Sequence, residues 1–257
     1  MLRSNVLSDA SAHFPADAEA SAQGVRRVWD RAGKRLLDLF LSVALIIMVT
    51  PLIAILALAI KLDSRGPVFY RCRRVGFRGR PLEMLKLRKM TDGAIGPALT
   101  TANDARLTRC GRFLAATKLD ELPQLWHVLT GEMSLVGPRP EEPDFVALHP
   151  REYKEIFAVK PGMTGLCQLA FAREGAILDP EDRVANYISR LLPAKVQVDL
   201  LYTRRRSIVM DLSILGWTTV AVLLRQGVAV HRDSGRLSLR RRRRAPFLAA
   251  ETGEHQC

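Results

Sequence analysis

The chain has 257 residues, is 48% hydrophobic and carries a formal net charge of +13, so it can bury one good core with appendages. Its basicity suits a polyanionic partner, whether nucleic acid, an anionic membrane surface or a phosphorylated small substrate. Cys72, Cys110, Cys167 and Cys257 form no CxxC pair and no His/Cys cluster, which argues against a zinc site or disulfide framework and for a reducing compartment.

Residues 1–25 hold no continuous apolar run, so no cleaved signal is expected. Rich in Ala, Ser and Asp, they read as a disordered leader reaching residue 30. Residues 39–60 then run for 22 positions without a charge, long enough to cross a bilayer core. Two features argue for another course. Pro51, after Thr50, removes a backbone donor in mid-segment. Arg26, Arg27, Arg31, Lys34 and Arg35 precede the run, and Lys61, Arg65, Arg71, Arg73 and Arg74 follow it, whereas a spanning helix has its basic excess on the cytoplasmic side alone. The expectation is a re-entrant helix over residues 31–62, broken at Pro51, with both ends cytoplasmic. Ser42 and Thr50 would cover freed backbone groups.

Pro67-Val-Phe-Tyr70 and residues 82–87 flank Gly76-Phe-Arg-Gly79, which predicts a β-hairpin. Lys86, Arg88 and Lys89 stand together in the run LKLRKM. Thr117-Lys-Leu-Asp120 has N-cap spacing and opens LDELPQLWHVL, which Gly131 closes. Asp120 and Glu121 then fall in a first helical turn, where the helix dipole favours negative charge. Arg139 sits between Pro138 and Pro140 on a stiff loop, and Arg suits bidentate phosphate recognition. A turn-rich stretch, KPGMTGLCQ, covers residues 160–168.

Residues 208–230 are apolar apart from Asp211 and Arg225, with Ile208, Leu212, Leu215, Thr219 and Val222 at helical spacing and an interface-loving Trp217. An amphipathic helix lying on the membrane and an ordinary buried helix both fit this pattern. Taken together, a carboxylate pair, rigidly placed cations and a membrane-dipping segment suit phosphoryl chemistry on a lipid substrate.

The blocks KRLLDLFLS (34–42), SRGPVFYRCRRVGFRG (64–79), LKLRKM (85–90), LTRCGRFLAATKLDELPQLWHVLTGEMSLVGPRP (107–140) and KPGMTGLCQ (160–168) resemble the bacterial sugar transferases, the monotopic polyprenyl-phosphate phosphoglycosyl transferases. They lie in family order across roughly residues 33–225, and KLDELPQLW with MSLVGPRP is far more specific than a short chance motif. The resemblance implies an α+β, mostly helical monotopic membrane protein. Its parts would be a catalytic domain over 63–230, preceded by the re-entrant helix and followed by a basic disordered tail over 231–257. It implies that Asp120 attacks the β-phosphate of a UDP-sugar and releases UMP, and that polyprenyl phosphate then takes the sugar phosphate from the aspartyl intermediate. Glu121 completes the dyad, and Mg²⁺ would be held by Asp120, Glu121 and the substrate phosphates. Lys86, Arg88 and Arg139 would hold phosphate oxygens, with Pro138, Gln124 and Gln168 as further site residues.

The implied place is the cytoplasmic face of the inner membrane, on an exopolysaccharide or related glycan pathway, and a homo-oligomer is left open. Cys72, Leu87 and His127 stand where the family pattern usually carries Gln, Phe and Asn. His127 reads as a satisfied structural residue. The stretch REGAILDPEDR (173–183) diverges, leaving the sugar open. The Arg run at 240–244 lies outside the pattern and reads as a solvated tail or as a hold on anionic lipid. No nucleic-acid module is recognisable, which weighs against a basic scaffold. The repeated strand–helix alternation of a conventional nucleotide-sugar glycosyltransferase is missing.

Overall fold

The computed structural model describes residues 16–96, 99–100, 104–172, 182–224, 226–231 and 234–239. Helix α1 (Ala16–Asp63) leads into an antiparallel hairpin, β1 (Phe69–Val75) with β2 (Pro81–Leu87). After α2 (Arg109–Thr117) comes a 3-10 helix, Leu119–Gln124, continued by α3 (Leu125–Thr130). Strand β3 (Ser134–Val136) pairs in parallel with β4 (Gly162–Thr164), across α4 (Pro143–Leu148) and α5 (Pro150–Ile156). Then follow α6 (Leu166–Ala170), α7 (Arg183–Asn186), a π-helical turn at Tyr187–Leu191, α8 (Leu192–Arg205) and α9 (Ile208–Leu223). A short hairpin of β5 (Val228–Val230) and β6 (Leu237–Leu239) closes the described chain. The α+β, mostly helical class and the first hairpin match the sequence reading.

Three expectations need correction. Residues 16–30, read as leader, are the first turns of α1, since Ala, Glu, Gln and Arg dominate that stretch and form helix readily; residues 1–15 lie outside the described residues. Helical conformation continues through Pro51, where a break was expected. Thr50 Oγ1 donates to the Ile46 carbonyl at 2.6 Å and Ser42 Oγ to the Leu39 carbonyl at 3.0 Å; neither is the Ile47 carbonyl that Pro51 deprives of its helical donor. The boundary at residue 230 cuts a hairpin, because Val-Ala-Val and Leu-Ser-Leu alternate as strands do and Gly235 (φ +69°) turns the chain between them. The Arg run at 240–244 lies outside the described residues.

Helix α1 is docked along the body from Lys34 to Ile60. Arg35 donates to the Val128 and Leu129 carbonyls at the end of α3, at 2.6 and 2.9 Å. Asp38 accepts from Ser134 Oγ at 2.7 Å and from the Leu135 N–H at 3.2 Å. Lys34 pairs with Asp211 of α9 at 2.6 Å. Further along, Val49 joins the main core with Met84, Leu125 and Ile214, while Leu56 and Ile60 enclose Leu87 and Leu114. Leu87 is 1% exposed, so the family's usual Phe is replaced here by a smaller apolar side chain that still fills the contact. The opposite face of α1 presents Leu36, Phe40, Ile47, Ile55, Leu58 and Leu62 to the outside, the two faces separating at helical spacing. Helix α9 buries Ile214 and packs Leu215 and Trp217 into the core. Its outer positions Val209, Leu212 and Val222 are also apolar, so it has a core face and an apolar outer face.

Candidate active site

Asp120 and Glu121 sit on the 3-10 helix rather than in the first turn of an α-helix. Thr117 ends α2, its hydroxyl donating to the Phe113 carbonyl at 2.8 Å, so it does not cap the dyad. Lys118 then adopts the left-handed region (φ 60°), and Pro123 occupies the next turn. Proline lacks the donor that an α-helical ladder needs there, and the tighter 3-10 winding results. Gly131 (φ +86°) closes α3 with N–H bonds to the His127 and Val128 carbonyls, as its position predicts.

The 3-10 helix packs on β2, which brings Lys86 Nζ to 2.9 Å from Glu121 Oε1. Arg139 Nη2 reaches the same oxygen at 3.1 Å. Lys89, just beyond the strand, places Nζ 3.6 Å from Asp120 Oδ2. Burial opposes ionisation of Glu121, but Lys86 and Arg139 outweigh it and hold the carboxyl well below the usual range. Burial pulls the Lys89 ammonium down from its usual value, with Asp120 acting the other way. Asp120 is 2% exposed, and its Oδ1 has no hydrogen-bond partner. An ionisable oxygen left unpaired in a buried site is costly, and a reacting group or ligand is the usual reason to keep one.

The loop carrying Arg139 is built by two glycine-rich turns. The Gly137 N–H donates to the Thr164 carbonyl and the Gly162 N–H to the Pro138 carbonyl, at 2.9 and 2.8 Å. A Cβ on Gly137, Gly162 or Gly165 would collide with the facing backbone, so the pairing needs residues without one. Gln168 props this turn, Nε2 donating to the Gly162 carbonyl at 3.2 Å. The structure thus joins Asp120, Glu121, Lys86 and Arg139 in one site. Pro138 and Gln168 serve the backbone pairing that holds the Arg139 loop. Gln124 is buried on the dyad's own helix, its Nε2 without a partner. Arg88 is placed elsewhere. Its guanidinium donates to the Ser64 carbonyl at 2.9 Å and to the Arg65 carbonyl, just past the end of α1. Arg88 stands one residue past the end of β2 and two positions on from Lys86, and α1 ends over it.

Lys89 was named only as part of the LKLRKM run, and a buried set behind the loop, Glu141, Tyr187, Lys195 and Asp199, was not singled out by sequence reasoning. Lys89 lies in the LKLRKM run, and only the end of β2 after Leu87 turns it toward Asp120. His127 is satisfied as read, with Nε2 accepting from the Leu85 N–H at 3.1 Å and Nδ1 bonded to Glu132 at 2.6 Å. For a divalent cation, the described residues hold no cluster of three or more His, Cys, Asp or Glu. The free Asp120 Oδ1 nevertheless fits Mg²⁺, which takes one or two carboxylates and completes its shell with phosphates and water.

A family model described as bacterial sugar transferase matches residues 29–225. The chain belongs to the bacterial sugar transferase family. An undecaprenyl-phosphate glucose phosphotransferase of Komagataeibacter xylinus is 42% identical to this sugar transferase over 196 residues, covering 73% of this chain and 35% of the relative. A UDP-glucose:undecaprenyl-phosphate glucose-1-phosphate transferase of Klebsiella pneumoniae is 37% identical, covering 71% of this chain and 38% of the relative. An exopolysaccharide production protein of Rhizobium leguminosarum bv. phaseoli is 40% identical over 202 residues, covering 75% of this chain and 96% of the relative. The match therefore spans little more than a third of the first two relatives and nearly all of the third.

Proposed function

We propose that this sugar transferase moves a sugar 1-phosphate from a UDP-sugar to polyprenyl phosphate, giving polyprenyl diphosphate-sugar and UMP. The observation that carries the reading is the unpaired, buried Asp120 Oδ1, with Lys89 at the other Asp120 oxygen and Lys86 and Arg139 on the neighbouring Glu121. A carboxylate oxygen without a partner is free to attack phosphorus, and the cations beside it lower the cost of bringing an anionic diphosphate near. In the first step an Asp120 oxygen bonds to the sugar-bearing phosphorus, and the bond from that phosphorus to the bridging oxygen breaks, releasing UMP. In the second, a phosphate oxygen of the acceptor bonds to the same phosphorus and Asp120 leaves as carboxylate. One displacement becomes two, and the kinetics are ping-pong. Lys86 and Arg139, drawn together by Glu121, are placed to hold phosphate oxygens through both steps. Mg²⁺, held by Asp120 with the Glu121 carboxylate beside it, would supply charge neutralisation on the diphosphate.

The names of relatives support this donor and acceptor class. They include both glucose-1-phosphate and N-acetylgalactosamine phosphotransferases, so UDP-glucose and UDP-N-acetylgalactosamine are the first donors to test. The placement of α1 supports a position in one leaflet with both ends at the cytoplasmic face of the inner membrane. Its contacts with the body run from Lys34 to Ile60, where a crossing helix would leave the body behind, and its outer face is apolar. Cysteine labelling that found residues 20 and 65 on opposite sides of the membrane would overturn that placement.

The deciding experiment measures UMP release from a panel of UDP-sugars by detergent-solubilised protein with Mg²⁺ and undecaprenyl phosphate. UMP from one donor, lost in Asp120→Asn, is the expected result. Release of UDP instead would mean a direct glycosyl transfer and sink the aspartyl intermediate.

A further inference from the structure

The two oxygens of Asp120 are not equivalent. Oδ1 is buried without a partner, while Oδ2 lies 3.6 Å from Lys89 Nζ. On the neighbouring carboxyl, Lys86 and Arg139 share the single oxygen Oε1 of Glu121, at 2.9 and 3.1 Å. Those two cations face a group whose charge stays constant through the proposed reaction. Lys89 faces the group whose charge is lost and regained. The pair joins an Asp120 side chain 3% exposed to a Lys89 side chain 26% exposed, so solvent screens it less than a pair on the surface.

The backbone beneath Lys89 is held from several sides. Strand β2 ends at Leu87, and the chain pairs again just beyond, where Met90 bridges Leu107 in antiparallel fashion. The Lys89 carbonyl accepts the Thr108 N–H at 3.1 Å, and the Thr91 N–H donates to the Arg106 carbonyl at 3.0 Å. Thr108 caps α2, its Oγ1 accepting the Gly111 N–H at 2.9 Å. Helix α2 sits so close that a Cβ on Gly111 would collide with the Lys89 carbonyl, which is why the position needs a glycine. The Cys110 N–H donates to Asp63 Oδ2 at 2.8 Å, tying the same corner to the end of α1. Lys89 thus extends from a fixed base toward one chosen oxygen of the dyad.

We propose that Lys89 stabilises Asp120 as the leaving group, speeding the second displacement, onto polyprenyl phosphate, and not the first; this rests on the aspartyl intermediate proposed above. In the first step Oδ1 bonds to phosphorus, and Oδ2 becomes the carbonyl oxygen of an acyl phosphate. The ammonium then faces a neutral oxygen in place of its buried counter-charge, which is the less favourable state. In the second step an oxygen of the acceptor phosphate bonds to the same phosphorus and the bond from phosphorus to Oδ1 breaks. The electron pair returns to the carboxylate, its charge spreads over both oxygens, and the pair with Lys89 re-forms. A cation set where charge develops lowers the barrier of the step that develops it. Lys89 therefore favours the departure of Asp120 and slightly opposes its attack.

The two halves can be timed separately on the full chain in detergent with Mg²⁺, using the UDP-sugar from which the parent releases UMP, with UDP-glucose tried first. Rapid-quench release of UMP at saturating donor, without acceptor, reads the first half. Decay of the sugar-phosphoryl protein after adding undecaprenyl phosphate reads the second. Lys89→Met is expected to keep the UMP burst within about threefold of the parent while the decay slows about tenfold or more. Lys89→Arg restores a cation and should decay at least about threefold faster than Lys89→Met. A purely structural lysine would slow both halves together, and that result, an unchanged decay, or an Arg variant as slow as the Met variant would each overturn the proposal. Should Lys89→Met not fold, Lys89→Gln keeps a polar stem without the charge, and the same split is then required of it. A parent that gives a burst of UMP while its variants show no split counts against the role of Lys89 alone. A parent that gives no burst removes the aspartyl intermediate and this role with it.

Discussion

The seam between α1 and the body and the turn that carries the dyad treat buried carboxylates in opposite ways. Asp38 has both oxygens engaged, by Ser134 and by the Leu135 N–H. Asp211 is held by Lys34 and by Tyr202 Oη at 2.7 Å. Asp120, buried as deeply, keeps one oxygen without any partner. A carboxylate that is fully bonded fixes two elements in register, since either element moving would strand a charge. One left partly unbonded adds nothing to stability and is available to react. The satisfaction of each oxygen, more than the depth of burial, separates the structural carboxylates from the catalytic candidate.

Substitutions can break that contrast, the largest effect first. Asp120→Asn should lower transfer by at least about a thousandfold by removing the nucleophile, while thermal unfolding and liposome association stay as in the parent. Residual turnover above about one part in a hundred would move the nucleophile elsewhere. Asp38→Ala should do the reverse, costing about 1–3 kcal/mol in denaturant unfolding because the buried Leu135 N–H loses its acceptor, while the Ser134 hydroxyl keeps the Val136 carbonyl. Its specific activity per folded molecule should hold. Lys34→Met should cost about 2–3 kcal/mol by stranding Asp211, and Lys34→Met with Asp211→Leu should recover much of that loss.

A subtler effect sharpens the comparison on the far side of the Arg139 loop. Asp199 is raised to about 8 by burial, against Lys195 on its own helix and the Arg139 N–H, and with Glu141 and the Cys167 thiol facing it. A carboxyl raised on folding binds more protons in the native state, so its contribution to stability is favourable at low pH. That contribution is lost as pH rises from the unfolded value toward 8. Asp199→Asn should therefore flatten the decline of Tm between pH 5 and about 8.5 relative to the parent. Parallel curves for the two proteins would mean that Asp199 does not titrate in this window.

Much of the site was legible in the chain because its signals are local. The hairpin of residues 69–87, the closing Gly131, the dyad and the proline-bracketed Arg139 each follow from backbone rules that act over a few residues. The winding of the dyad helix was not, because Thr117 satisfies a cap pattern that α2 takes for its own last turn. Arg88 and Lys86 look equivalent along a strand, and only the place where α1 ends assigns one to a backbone cap and the other to Glu121.

What the sequence alone determined was the apolar segment, its basic flanks, the charge pair and the stiff loop, since composition and short-range sterics decide such features. The tertiary structure decided which face of α1 meets the body, which cation meets which carboxylate, and that a buried network on α8 stands behind Arg139. Those outcomes depend on contacts between residues as much as 177 positions apart, as in Lys34 with Asp211. No local pattern specifies such pairs; they arise when burying the apolar faces brings distant polar groups to positions where each must find a partner or pay the cost of desolvation.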